Sequence, residues 1–447
     1  MTETDTLPNR AGPAPDAPPR DVADFIETAH HADLARWLKD LPRTQVWRHL
    51  AGLGPERRVR VFTNMDLDSQ AELARDMAPA DLAALVSGMG GDDRVDLYNR
   101  LTPEEQAQLL RDLPAEDRAD ISRLAAHAEG TAGAIMTSGY ATLGAEMTVR
   151  EAIAALRVAA PASETIYRSY ILDDAARLIG SIRLHELILA DEATPVAAIM
   201  DRHPVSVSVD TDQEETARMI AHYDLLALPV VDAGGRLVGI VTHDDAADAM
   251  DAETTEDFQR ISTVLPFKHN MREAGIGVLY SRRIVWLALL VFGNLFSGAG
   301  IAYFEETILA YVSLVFFLPL LIDSSGNAGS QSATLMVRAL ATGDVVLKDW
   351  GALIGRELLV AALLGATMAI VVLPVGIARG GADVAWVVGL TMFLVVIVGS
   401  LVGMSLPFLL SRLRLDPATA SGPLVTTISD AVGVIVYFSI ATLVLSL

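Results

Sequence analysis

The hydrophobic positions along this chain follow three successive rhythms. From about Asp21 to Ala126, apolar residues recur at helical spacing in short stretches that halt at Leu41-Pro42, Gly54-Pro55, Ala78-Pro79, Thr102-Pro103 and Leu113-Pro114, spaced near 12 or 24 residues. Proline cannot continue a helix. The pattern therefore predicts a superhelical stack of one-helix steps, with an irregular helical bundle as the plainer alternative. Ahead of it, residues 1–20 carry Pro8, Pro13, Pro15, Pro18 and Pro19 among small polar residues with no apolar run, which reads as a disordered tail and no signal peptide.

The second rhythm is that of strands, and it comes twice. Ile135-Met136-Thr137 and the helix-spaced EMTVREAIAALRV return 64 residues later as Ile199-Met200-Asp201 and DTDQEETARMIAHY. The runs ILDDAARLIGSI, with Gly180, and VVDAGGRLVGIV, with Gly239, match in the same way. Each unit reads β-α-β-β-α, turning at Asp173-Asp174 or at Ala233-Gly234-Gly235. This duplication resembles a tandem pair of cystathionine-beta-synthase-type (CBS) domains, regulatory modules that bind adenine nucleotides or ions. The second copy carries that family's closing pattern of Gly239, Thr242 and Asp245, which implies a nucleotide site for ATP. The first copy departs from it, with Arg183 and Glu186 at the hydroxyl and acidic positions.

The third rhythm is continuous apolarity. Segments at about 284–303, 308–340, 352–378, 385–410 and 421–447 each exceed the roughly 20 residues needed to cross a bilayer. Arg282 and Arg283, Arg338 and Lys348, and Arg412 and Arg414 fall on one side of these segments. Glu305, Glu306 and Arg379 fall on the other. The positive-inside rule then puts the N-terminal body in the cytoplasm and the C-terminus outside a cell membrane. The expected organisation is a tail (1–20), an all-α N domain (21–130), α/β CBS domains (131–198 and 199–250), a connecting helix (251–281) and a five-helix all-α membrane domain (282–447). Lys268 and Arg272 lie in the connecting stretch.

Charge sharpens this picture. Of 56 acids and 34 bases, nine and six follow Arg283, leaving the first 283 residues at −19 and the rest at −3. So acidic a body repels nucleic acid and attracts cations. No cysteine is present, so a metal would be held by oxygen or imidazole. No nucleophile–base pair, His-rich metal site or phosphate loop appears in the first half, which argues against an enzyme. His30-His31 lacks a third ligand nearby.

Two apolar segments carry chemistry. Asp430 lies near the middle of the fifth, where an ionised carboxylate facing lipid costs about 2.5–3.5 kcal/mol, so it is expected to face a polar path. Thr426 stands four residues earlier on the same face. The second segment runs into IDSSGNAGSQSATLMVRALATGD, residues 322–344. There Gly326, Ala328 and Gly329 permit close helix approach, and Asp323, Asn327, Ser330 and Gln331 bring oxygen to membrane depth. Such oxygens suit Mg²⁺, which releases its water reluctantly.

These two runs, with LDPATASGPLVTTISDAVGVIVYFSIA and the second CBS unit through ETTED, resemble the MgtE family of magnesium channels from about residue 21 to the end. The resemblance implies a homodimer in the lipid bilayer with a pore on its two-fold axis. Asp430 of each subunit would bind the ion, with Gly326, Asn327, Ser330, Asp323 and Thr426 along the path. Ser330 stands where many relatives have Asn, and Asp323 where a small residue is common. The resemblance further implies regulatory Mg²⁺ held by Asp212, Glu214, Asp224, Asp245, Asp248, Glu256, Asp257 and Asp416, with Asp92, Asp93 and Asp96 as N-domain partners. The implied function is a Mg²⁺ channel closed by cytosolic Mg²⁺. Its alternatives are the same architecture passing Co²⁺ or Mn²⁺, or a CBS-regulated secondary transporter of another solute, for which Arg356 is the one candidate cation in the spans.

Overall fold

A computed structural model describes residues 12–13, 18–267, 274–420 and 422–445. Most of the proline-rich tail, together with Lys268 and Arg272, lies outside the described residues. The chain forms two compact units, Met1–Asp251 and Ala252–Leu447.

The first unit opens with α1 (Pro19–Thr28), α2 (His31–Lys39), α3 (Arg43–Ala51), α4 (Pro55–Thr63), α5 (Leu67–Asp76), α6 (Pro79–Ser87), α7 (Gly91–Arg100), α8 (Pro103–Asp112) and α9 (Ala115–Leu124). The prolines start helices as much as they stop them. Pro55, Pro79 and Pro103 occupy the first helical position, where a missing N–H costs nothing and φ is already set. Pairs two steps apart, such as α2 with α4, α4 with α6 and α7 with α9, pack on one another, which gives the solenoid its single core of Leu34, Leu38, Leu50, Phe62, Val86 and their neighbours.

The CBS pair contains β1 (Tyr140–Leu143), α10 (Val149–Ala159), β2 (Thr165–Leu172), β3 (Leu178–Arg183), α11 (Leu184–Leu189) and α12 (Val196–Ile199) in the first copy. The second holds β4 (Val207–Ser208), α13 (Gln213–His222), β5 (Ala227–Val231) and β6 (Leu237–Thr242). In each copy a parallel pair is followed by an antiparallel one, β1-β2-β3 and β4-β5-β6. The opening motifs are exchanged between copies. Thr137 bridges to Ile240 on β6, and Asp201 to Ser181 on β3. A Cβ on Gly239 would stand 2.5 Å from Met136 Sδ, and one on Gly180 would stand 2.7 Å from Met200 Sδ. The two glycines thus seat the methionine of the other copy's motif, which is why both repeats carry the same Gly and the same Met.

From β6 the chain runs straight into α14 (His243–Ile261). The connecting segment 251–281 is not one helix. After Ile261, Thr263 adopts a left-handed φ of 57° and Pro266 follows, a combination that ends a helix.

The second unit holds α15 (Ile276–Tyr303), α16 (Glu305–Ala310), α17 (Ser313–Ala341), α18 (Trp350–Arg412) and α19 (Gly422–Val444). Gly381, at φ 79° and ψ −173°, breaks α18 into two rods. They fold back on each other, since a Cβ on Gly376 would stand 2.7 Å from Ala385 Cα and one on Gly365 would stand 2.7 Å from the Phe393 carbonyl. Over their described residues the first, third, fourth and fifth apolar segments fall largely in long helices, whereas the second begins in the short α16, breaks at Tyr311 and continues in α17. Among the described residues, α15, α18 with the turn before it, and α19 are long and apolar enough to cross a membrane. The polar run inside α17 lowers its apolarity, and that helix sits centrally, packed along α18 and α19.

Candidate functional site

Glycine and serine bring α17, α18 and α19 together. A Cβ on Gly329 would stand 2.7 Å from the Gly399 carbonyl, and Gly399 and Gly403 pack in turn against the backbone at Ser325 and Gly329. Ser325 Oγ donates to the Val395 carbonyl at 2.9 Å. With no side chain between them the backbones approach as close packing in lipid requires. Ser325, Gly399 and Gly403 carry this contact although the sequence reading did not single them out. Small residues at four-residue spacing in the fourth apolar segment were the available signal.

Against α19 the same helix presents polar groups. Ser330 Oγ donates to the Gly422 carbonyl at 3.2 Å and lies 3.3 Å from Thr426 Oγ1. Gly326 faces Thr426. One turn beyond Thr426, Asp430 Oδ1 is buried with no hydrogen-bond partner among the described residues, as is the neighbouring Ser429 Oγ, and the charge of Asp323 acts on Asp430. Gly326, Ser330 and Thr426 thus meet where α17 packs on α19, with Asp430 one turn further along α19. Asp323, Asn327 and Gln331, each four residues apart, form an exposed polar stripe on α17. A buried carboxylate oxygen without a donor is costly.

A second gathering of oxygens lies where the N domain meets the CBS pair, inside the first unit. Gly90 starts α7 so tightly that a Cβ on it would meet Asp92 Oδ1 at 3.0 Å, Asp93 Oδ2 at 3.5 Å and Glu164 Oε2 at 3.5 Å. Burial pushes the Asp93 carboxyl up to about 7, reinforced by Asp92, Glu164, Asp96 and Asp244. Burial, then Asp92 and Asp244, pushes Asp245 up to about 8, although Thr242 Oγ1 donates to it at 2.5 Å. Glu164 is raised by burial, Asp92 and Asp244. Asp92 Oδ1 is buried with no hydrogen-bond partner among the described residues. Glu164 and Asp244 join this cluster unforeseen: Asp244 adjoins a named acid, but nothing in the sequence places the start of β2 beside α7. Around it, Arg94 pairs with Asp117 at 3.0 Å within the N domain, while Ser138 Oγ donates to Asp120 at 2.8 Å and Arg123 donates to the Val238 carbonyl at 2.8 Å, tying the two domains.

The other acids expected to hold Mg²⁺ do not gather there. Asp212 caps α13, accepting from Glu214 N at 2.9 Å, and Glu214 pairs with Arg218 at 2.6 Å. Asp224 ends α13 at φ 52°, a conformation Asp tolerates better than most residues. Asp248 is raised by burial, Asp244 and Asp251. Glu256 and Asp257 lie eleven residues or more beyond Asp245, about 16 Å along a helix, and belong with Asp416 in the second unit. Gly239 is seated under Met136. Among the described residues no three His, Asp or Glu side chains converge as a ready cation shell, so the junction is a set of repelling carboxylates and not a preformed cage.

Residues 318–440 match the MgtE divalent cation transporter family, residues 29–130 its intracellular N domain, and residues 132–193 and 196–252 the CBS domain. The chain is 44% identical over 328 residues to the magnesium transporter MgtE of Thermus thermophilus, covering 73% of each protein. With the magnesium transporter MgtE of Bacillus subtilis it shares 32% identity over 424 residues, 95% of this chain and 94% of that protein. The crystal structure of the cytosolic domain of the Mg²⁺ channel MgtE in complex with ATP is 38% identical, with a TM-score of 0.49, over 51% of this chain and 94% of that one.

Proposed function

The chain belongs to the MgtE family of divalent cation transporters, and from that premise we propose that it carries Mg²⁺ across a cell membrane and is closed by cytosolic Mg²⁺. The observation that carries the transport reading is the orphaned Asp430 Oδ1, buried one turn beyond Thr426 on the same face of α19. A low-dielectric path with carboxylate and hydroxyl oxygens stabilises a divalent cation without stripping its water. The five long helices act as spans, with the N-terminal unit cytoplasmic and the C-terminus outside. A polar stripe of Asp323, Asn327 and Gln331 left open at membrane depth calls for a polar partner, and a second copy of the chain supplies one, so the working form is a homodimer.

Gating belongs to the acids. Asp92, Asp93, Asp96, Glu164, Asp244 and Asp245 repel one another when the N domain and CBS pair are closed together, and Mg²⁺ between them relieves that repulsion. Cytosolic Mg²⁺ then favours the compact state by its differential affinity for it. Nucleotide at the Gly239, Thr242 and Asp245 pattern is a second regulatory ligand of the same pair.

Uptake of Mg²⁺, Co²⁺ and Mn²⁺ into proteoliposomes tests the reading. Asp430→Ala deletes the buried carboxylate that each subunit brings to the path and is expected to abolish Mg²⁺ uptake with the dimer intact. Undiminished uptake would remove Asp430 from the path, and preference for Co²⁺ or Mn²⁺ would change the cargo.

A further inference from the structure

A guanidinium joins the end of α14 to the loop ahead of α19. Arg260 Nε donates to Glu256 Oε1 at 2.9 Å and stands 3.1 Å from Asp416 Oδ2, while its Nη2 also holds Glu256. The charge of Asp257 acts on the same group. Asp416 in turn shapes the loop, accepting from Ala418 N at 2.8 Å as the cap of the turn Pro417–Thr419. Ile261, next to Arg260, packs with Val337, Ala418 and Ala420. Two residues past Ala420 begins α19, whose Gly422 carbonyl and Thr426 hydroxyl meet Ser330. A pull on Asp416 therefore reaches the start of the helix that carries Asp430.

We propose that Arg260 is a tethered cation that latches the connecting helix to the loop ahead of the pore helix, filling between Glu256 and Asp416 the place a divalent ion would otherwise take. Guanidinium is charged at every working pH, and its planar fork engages two carboxylates at once. Being attached to the chain, it is present at fixed effective concentration whatever the Mg²⁺ level. A divalent ion reaches Glu256 and Asp416 only by displacing it. The join consequently persists when Mg²⁺ is low, and the Mg²⁺ response shifts to the acidic junction in the first unit. This rests on the gating reading above.

The absence of cysteine from the sequence makes the test clean. Ser262→Cys and Leu415→Cys, both exposed positions flanking the latch, carry nitroxide labels in the full chain in lipid nanodiscs, and electron–electron distances are read in EDTA and in Mg²⁺. The parent is expected to show one short distance in both. In Arg260→Gln the short population is lost in EDTA and restored by Mg²⁺, because the freed carboxylates now take the ion; Arg260→Lys keeps the short distance in EDTA. A short distance in Arg260→Gln in EDTA overturns the latch, since packing of Ile261 would then suffice. Loss in EDTA without recovery in Mg²⁺ overturns the claim that Arg260 fills a divalent ion's place between Glu256 and Asp416 and leaves the gating reading, which rests on the acids of the first unit, untouched, so the two ideas fail separately.

Discussion

Thr426 leaves no room for a side chain at Gly326: a Cβ there would stand 2.8 Å from Thr426 Cγ2 and 3.1 Å from its Oγ1. The contact closes α17 onto α19 at the level where Ser330 reaches Gly422. Gly326→Ala should push the helices apart at a cost of about 1–3 kcal/mol, the usual range for overpacking, and reduce Mg²⁺ uptake with it. Thr426→Ser removes the clashing methyl and keeps the hydroxyl. The pair Gly326→Ala with Thr426→Ser is therefore expected to regain most of the thermal stability and uptake that the single change loses. Equal loss in the single and double variants would mean that the tight contact is not with Thr426.

Two equivalent turns in the CBS pair carry different residues at their left-handed position. Asp173 Oδ1 accepts from Ala175 N and Arg177 N, both at 2.9 Å, and Asp232 Oδ1 accepts from Gly234 N at 2.8 Å and Arg236 N at 2.9 Å. The left-handed residue of the first turn is Ala176 at φ 61°, and that of the second is Gly235 at φ 74°. A Cβ costs roughly 1–2 kcal/mol in that region, while glycine's freedom in the unfolded chain takes back about 0.4–1 kcal/mol. Ala176→Gly should therefore stabilise the protein by up to about 1 kcal/mol, and Gly235→Ala should destabilise it by a similar amount. Thermal melts of the two variants should move in opposite directions.

How much of this was legible in the sequence depends on the range of the contact. The solenoid, the duplicated strands and the apolar helices follow from local periodicity and from proline, so the fold class could be read directly. Asp430 and Thr426 share a helix face by their spacing alone, and Thr426 meets Gly326 and Ser330. The exchange of the Met136 and Met200 motifs could not be read, because nothing local says that a segment will pair with the other copy's sheet. The acids were the hardest. Asp245 and Glu256 look like neighbours in an acidic run, yet one joins Asp92 and Asp244 while the other is held by Arg260. Sequence distance hid Glu164 from the cluster it completes.

Protons and Mg²⁺ should compete at the junction of the first unit. Asp93 and Asp245 are pushed up to about 7 and about 8, chiefly by burial and then by their acidic neighbours. An acid held above its unfolded value binds its proton more tightly when folded, so its stabilising effect is complete below about pH 4, where unfolded Asp titrates. That effect is lost as pH rises through about 7 for Asp93 and about 8 for Asp245. Stability of the first unit in EDTA should accordingly fall between about pH 4 and pH 8. Mg²⁺ substitutes for the protons and should flatten the decline. Added Mg²⁺ should also release protons near neutral pH, measured with an indicator dye in weakly buffered solution. The release should shrink near pH 9, where both carboxyls are already ionised, and Asp93→Asn with Asp245→Asn should diminish it at neutral pH. If these two substitutions leave proton release unchanged, Mg²⁺ is bound elsewhere and the junction is a structural contact alone.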